Sequence, residues 1–173
     1  MSQIKKLDQS TILKLAAGEI IDRPASIVKE LIENAIDAQA TIIRVFAIQG
    51  GIAELSVEDN GRGILNQDML LTVTPHATSK LVEFNDLESV LTMGFRGEAL
   101  ASMAEVAEVT IESFHNSDQI GAILQKQPGQ EPTVKSKARA IGTTITIAHL
   151  FKKIPVRYRF LKKPASEMNQ ITR

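Results

Sequence analysis

The chain of 173 residues has no cysteine and no tryptophan. Without a thiol there is no disulfide, no thiolate nucleophile and no cysteine-ligated metal. Aromatic residues are scarce, with one tyrosine and six phenylalanines, so a core has to be assembled from aliphatic side chains. Neither sign of charge is in excess: 20 Lys and Arg face 20 Asp and Glu, a formal net charge of zero. Bulk electrostatics therefore gives no hint of a nucleic-acid or membrane partner. No apolar run approaches the roughly 20 residues that a membrane span needs. The start, MSQIKKLDQST, carries lysines but no apolar segment of signal-peptide length. His76, His115 and His149 are scattered and lack the spacing of a zinc site. A cytoplasmic protein is the expectation, and the length suffices for one domain with a real core.

What is present falls into helices early and strands early and late. STILKLAAGEII suggests a first helix capped by Ser10 or Thr11. RPASIVKELIENAIDA predicts a second, with Pro24 at its first position and Ile27, Val28, Leu31, Ile32, Ala35 and Ile36 as a broad apolar face. TIIRVFAI and IAELSVE read as strands joined through Gln49-Gly50-Gly51, an antiparallel hairpin. Short helices are expected over NQDMLLTV and FNDLESVLTM, and TPHATSK reads as a loop. GFRGEALASMAEV reads as a glycine loop entering a helix. Strands then follow over AEVTIESF, QIGAILQK, PTVKSK and GTTITIAHL, and the tail bends at a proline into the start of a helix. The pattern is α+β, a two-layer sandwich with helices on one face of a largely antiparallel, mixed sheet. It does not suit a doubly wound nucleotide fold, in which strands and helices alternate throughout.

Five stretches carry possible chemistry. On the second helix Glu30, Asn34 and Asp37 fall within about 60° of arc, at about 100° per residue. That side is either a solvated face or a place where two carboxylates and an amide meet a ligand. DNGRGI, from Asp59 to Ile64, follows a strand directly. It is a turn, or a strand-end carboxylate able to accept a hydrogen bond from an exocyclic amine, with glycines permitting close approach. GFRGEALASM, from Gly94, places a loop at a helix N-terminus, whose free N–H groups suit a phosphate. HATSK offers two hydroxyls and an ammonium in a loop. GTTITI, taken alone, is an ordinary strand beginning.

Together and in this order the five resemble the ATP-binding domain of the GHKL superfamily, shared by gyrase, heat-shock chaperone, histidine-kinase and mismatch-repair proteins. AAGEIIDRPASIVKELIENAIDA, DNGRGI, HATSK and GFRGEALASM are most similar to the N-terminal ATPase domains of the MutL family, over about residues 13–160. The resemblance implies Mg²⁺ and ATP as cofactors and assigns roles. Glu30 would be the general base and Asn34 the Mg²⁺ ligand, with Asp37 and Ala38 completing that motif. Asp59 would bond the adenine amine, Gly61 and Gly63 would allow its approach, and Thr143 would support the pocket. Thr78, Ser79 and Lys80 would belong to a loop closing over ATP. Gly94, Phe95, Arg96, Gly97, Glu98, Ala99 and Leu100 would hold the phosphates.

The resemblance further implies an ATP-binding domain over 1–150 and, over 151–173, a basic bend leading toward a second subdomain. Partners implied are DNA, a mismatch-recognition protein, a downstream nuclease or helicase, and a second copy in an ATP-dependent homodimer associated with the nucleoid during repair. Three departures stand out: Gln39 replaces a usual glycine, Pro75 a common arginine, and KKIPVR an NTPAR-like run. The competing readings are a nucleotide-responsive module without turnover, and another GHKL-class ATPase or kinase domain. Lys152 to Lys163 holds six basic residues and no acid, which suits a solvated face, a contact with DNA phosphate, or a contact with a further subdomain.

Overall fold

In a computed structural model, residues 21–75, 77 and 98–173 are described. The expected first helix, except Ile21, the HATSK loop, except Ala77, the FNDLESVLTM helix and the GFRG loop lie outside them. Helix α1 spans Pro24–Asp37 and begins at Pro24, whose missing N–H removes one donor that would otherwise lack a partner. Strands β1 (Ile43–Ile48) and β2 (Glu54–Asp59) form the hairpin, pairing Ile43 with Asp59 and Ile48 with Glu54. Their link, Gln49–Gly51, is a 3-10 turn. NQDMLLTV is helical throughout but of the tighter 3-10 kind, Asn66–Val73. Helix α2 (Ala99–Val106) leads into β3 (Glu108–Phe114), followed by β4 (Ala122–Lys126), β5 (Thr133–Ser136) and β6 (Gly142–Ala148). The tail forms a single turn, α3 (Pro155–Tyr158), and then α4 (Pro164–Ile171).

The six strands make one sheet in the order β1-β2-β6-β3-β4-β5, and every described pair is antiparallel. Leu55 and Val57, Ile145 and Ile147, Val109 and Ile111, and Leu124 form the helix-covered face and are almost fully buried. Ile27, Val28, Leu31 and Ala35 of α1 pack in the same core, beside Met69, Met103 and Phe151. Each large aliphatic chain so buried contributes about 1.5–3 kcal/mol. The opposite face is held by polar cross-strand pairs. Arg44 meets Glu58 at 3.0 Å, and the Ser56 and Thr146 hydroxyls lie 3.1 Å apart.

The apolar face of α1 is narrower than expected. Ile36 is 49% exposed. It sits one residue, about 100° of arc, beyond buried Ala35, on the side turned from the sheet. The basic tail differs as well. Arg157 lies over the Phe151 ring, 5.8 Å from its centroid, and donates to the Ile21 carbonyl at 3.5 Å. Lys152, Lys153, Arg159, Lys162 and Lys163 are exposed. Helix α4 folds back on the hairpin turn. A side chain on Gly50 would collide with the Pro164 carbonyl, and one on Gly51 would come within 2.8 Å of Pro24. Glu167 is buried there, accepting the Lys162 N–H at 2.8 Å.

Helix α1 ends in a Schellman cap. The Gln39 N–H bonds the Ile36 carbonyl at 2.8 Å and the Ala40 N–H bonds that of Ala35 at 3.0 Å. Gln39 carries the left-handed φ of 61° that this cap requires. For a residue with a Cβ that conformation costs about 1 kcal/mol, which is why glycine suits the position. Gln39→Gly is expected to stabilise the chain by up to about 1 kcal/mol, partly offset by the greater freedom of glycine when unfolded. Urea denaturation midpoints of the two proteins check this.

Candidate active site

Along the helix-covered face, β2, β6 and β3 each run apolar at alternate positions until their last step at one end of the sheet. The rows Leu55–Ile147–Val109 and Val57–Ile145–Ile111 are apolar. The next row is Asp59–Thr143–Ser113. Thr143 is 5% exposed and Ser113 fully buried. Three polar side chains thus stand level at the rim of the core, where a buried polar atom needs a partner. Ser113 Oγ accepts the Ile64 N–H at 2.8 Å, lies 2.9 Å from Thr143 Oγ1 and donates to the Gly142 carbonyl at 3.2 Å.

The loop after β2 is fixed from both sides. Asp59 Oδ1 accepts the Gly61 N–H at 2.7 Å. Asn60 Oδ1 accepts the N–H groups of Thr41 and Ile42 at 2.9 and 2.8 Å, and its Nδ2 donates to Thr41 Oγ1 at 2.9 Å. The Arg62 N–H bonds the Ala38 carbonyl at 3.0 Å, joining the loop to the end of α1. A side chain at position 61 would approach that carbonyl to 2.7 Å. One at Gly63, whose φ is 77°, would collide with the Phe114 carbonyl. The close approach these glycines permit within the described residues is to the protein's own main chain. Gly142 acts alike against the Asp59 carbonyl.

Burial pushes the Asp59 carboxyl above the ordinary aspartate value, against the opposing pull of the Gly61 and Thr143 amides and the Arg139 charge. Arg139 donates to the Glu112 carbonyl and is itself partly desolvated, its pKa lowered by burial.

Glu30, Asn34 and Asp37 lie half-buried along α1, beside its core-facing arc, and each makes an interaction there. Ala38 caps α1 and Glu98 caps α2, whose first turn holds Ala99 and Leu100 partly packed on the core. Thr78, Ser79, Lys80, Gly94, Phe95, Arg96 and Gly97 lie outside the described residues. The described residues therefore unite Asp59, Gly61, Gly63, Thr143 and Ala38 in one contact network. Ser113, Asn60 and Arg139 belong to it too; Asn60 lies within DNGRGI but carries no assigned role, and Ser113 and Arg139 lie in none of the five motifs. The one signal for Ser113 is its place in VTIES, two residues beyond Ile111 on the inward-facing alternation. No cluster of three metal-binding His, Asp or Glu side chains occurs among the described residues. The polar side of α1 offers the Glu30 and Asp37 carboxylates and the Asn34 amide, with Glu33 and Ser26 on neighbouring arcs. Oxygen donors of this kind suit a hard cation that keeps water or ligand oxygens in its shell.

Comparison with known proteins gives a consistent result. Residues 22–150 match the family described as histidine kinase-, DNA gyrase B-, and HSP90-like ATPase. The chain is 43% identical over 173 residues to the DNA mismatch repair protein MutL of Coxiella burnetii (strain CbuG_Q212), covering all of this chain and 30% of that protein. It is 44% identical over 168 residues to MutL of Xylella fastidiosa (strain M23), covering 97% of this chain and 27% of the relative. It thus spans under a third of these relatives. Among solved structures it is similar to the Aquifex aeolicus MutL ATPase domain complexed with ADP, with a TM-score of 0.68 and 27% identity over 88% of this chain and 53% of that one. An N-terminal domain of a DNA repair protein aligns with a TM-score of 0.76 and 27% identity over 93% of this chain and 46% of that one.

A carboxyl raised by burial opposes folding above the ordinary aspartate pKa, because the folded state binds its proton more tightly than the unfolded state does. Asp59→Asn is therefore expected to melt higher than the parent at pH 7. That advantage should shrink as pH falls toward the ordinary carboxylate range. Thermal melts from pH 4 to pH 8 check the sign.

Proposed function

Because the chain belongs to the histidine kinase-, DNA gyrase B-, and HSP90-like ATPase family and is of the MutL type, we propose that it binds and hydrolyses Mg-ATP to drive a conformational switch in DNA mismatch repair. The observation that carries this reading is the Arg62–Ala38 main-chain bond. It couples the pocket row of Asp59 and Thr143 to the helix that carries Glu30 and Asn34.

The adenine lies at the Asp59 end, its exocyclic amine donating to the carboxylate. This contact is charge-assisted and partly desolvated, so it outweighs an exposed one. The triphosphate runs toward the polar side of α1 and the start of α2, whose first N–H groups have no partners inside their own helix. Asn34 and phosphate oxygens would hold Mg²⁺, which would neutralise charge building on the transferred phosphoryl group. Glu30, one helical turn before Asn34, takes the proton from the attacking water. Asp37 orders this side of the helix. Thr78, Ser79 and Lys80 close over the nucleotide, and residues 94–100 hold its phosphates.

In the longer relatives' context, ATP binding brings two such domains together as a homodimeric clamp. The clamp relays mismatch detection on DNA from a recognition protein to a nuclease or helicase. Residues 151–173, whose helix α4 folds back on the hairpin turn, would join this domain to a further subdomain of the longer relatives. No described helix is long and apolar enough to cross a membrane. Cytoplasmic work at the nucleoid is part of the proposal.

Mg-ATP at millimolar concentration is expected to raise the melting temperature, since it binds only the folded chain. Calorimetric titration without heat, together with an unmoved melting point, would refute nucleotide binding. Asp59→Asn is expected to lose roughly 1.5–3 kcal/mol of ATP affinity while gaining thermal stability.

Glu30→Ala is expected to lower single-turnover hydrolysis by about 10²–10⁴ with little change in analogue affinity. The test belongs in a protein extended to the relatives' full ATPase region. Hydrolysis at the parent rate would place the base elsewhere, with Glu33 the first alternative. A parallel loss of affinity would make Glu30 part of the binding site instead.

A further inference from the structure

The three contacts of Ser113 constrain where protons sit, and that ordering reaches the pocket. A serine hydroxyl has one proton to donate and two lone pairs to accept with. The Ile64 N–H, 2.8 Å away, can only donate to it. The Gly142 carbonyl, 3.2 Å away, can only accept. The third neighbour, Thr143 Oγ1 at 2.9 Å, could do either. Only one order satisfies all three contacts at once. Ser113 donates to Gly142, and Thr143 donates to Ser113. The Thr143 hydroxyl proton is then directed away from Asp59, and its oxygen has only lone pairs left for a ligand.

We propose that Ser113 is a positioning residue for purine specificity, holding the Thr143 hydroxyl as an acceptor beside the Asp59 carboxylate. This rests on the reading that Asp59 and Thr143 receive the base. A pocket lined at this point by two acceptors takes the two N–H bonds of a 6-amino purine. It repels the carbonyl oxygen of a 6-oxo purine. Asp59 alone could be evaded by a base that turned its carbonyl toward a freely rotating threonine hydroxyl. Ser113 removes that escape by occupying the hydroxyl proton. Its place in the fold suits the task. It is fully buried, sits directly across from Thr143 on the neighbouring strand, and does not face the solvent side of the pocket. The Ile64 amide that feeds the chain belongs to the loop after Asp59, so loop and hydroxyls are set together.

The test measures affinities of the full chain for non-hydrolysable ATP and GTP analogues, with melting curves alongside. Ser113→Ala frees the Thr143 proton and Ser113→Cys, whose sulfur is a weak acceptor, holds it only weakly. The alanine variant is expected to lower the ATP-over-GTP preference by about tenfold, the worth of roughly one hydrogen bond, and the cysteine variant to lower it in the same direction. Ser113→Thr keeps a hydroxyl and is expected to keep the preference. The thiol variant is close to isosteric and carries the test if the alanine protein does not fold. Should both affinities fall by one common factor in the Ala and Cys variants, Ser113 would be only a strut and the proposal would be overturned. It would equally be overturned if Ser113→Thr lost the preference as fully as Ser113→Ala while melting like the parent. A parent chain that binds neither analogue, or both equally, would instead overturn the placement of the base at Asp59, and this assignment with it.

Discussion

The register of β2, β6 and β3 is the constraint on which the rest depends. It sets Asp59, Thr143 and Ser113 level across three strands, on the same face as the aliphatic core. Side chains alternate faces along a strand, so a slip of one residue in either pairing would turn part of this row outward and bury polar groups of the other face. The apolar rows behind it enforce the pairing. Leu55, Ile147 and Val109, then Val57, Ile145 and Ile111, can be buried together only in this alignment. The core therefore holds the polar row in place. The α1 cap and the Asn60 clamps carry the same order outward to the loop.

The row is also a local strain on folding. A carboxyl partly removed from water is less stable there than in the unfolded chain, and its two amide contacts and nearby Arg139 offset only part of that. The left-handed Gln39 adds a second local cost at the other end of the same contact. Both sit where α1 meets the loop after β2, while the surrounding aliphatic rows supply the stabilisation. Unfavourable terms are thus concentrated at the candidate site and favourable ones around it, the pattern expected of a preorganised site.

Much of this is legible in the sequence because it rests on periodicity. The α1 span, the hairpin and the later strands follow from runs with period 3.6 or 2, and Asp59 stands out because a carboxylate beside two glycines ends an apolar strand. What escapes depends on pairing between distant segments. Ser113 is an ordinary serine until β3 is set against β6. Gln39 is recognisable as strained only once the cap is formed, although its replacement of glycine is visible beforehand. Ile36 joins the apolar face on composition alone, which does not say how far round the helix the core reaches. Arg157 reads as one more solvated basic residue because its aromatic partner, Phe151, meets it only once the chain has turned after β6. NQDMLLTV reads as a helix, and its apolar pattern does not tell an α-helix from the tighter 3-10 winding that the segment adopts.

The glycines around the row have a consequence for how this rim can change over generations. At positions 61, 63 and 142 main chain meets main chain, at Ala38, Phe114 and Asp59, with no room for a Cβ between them. This part of the rim is therefore shaped by backbone contacts, and a backbone contact cannot be retuned by exchanging one side chain for another of different size. Divergence in this region is channelled into a small vocabulary, the few side chains that project from a fixed frame. Relatives would be expected to differ at those side chains while the glycines stayed as they are.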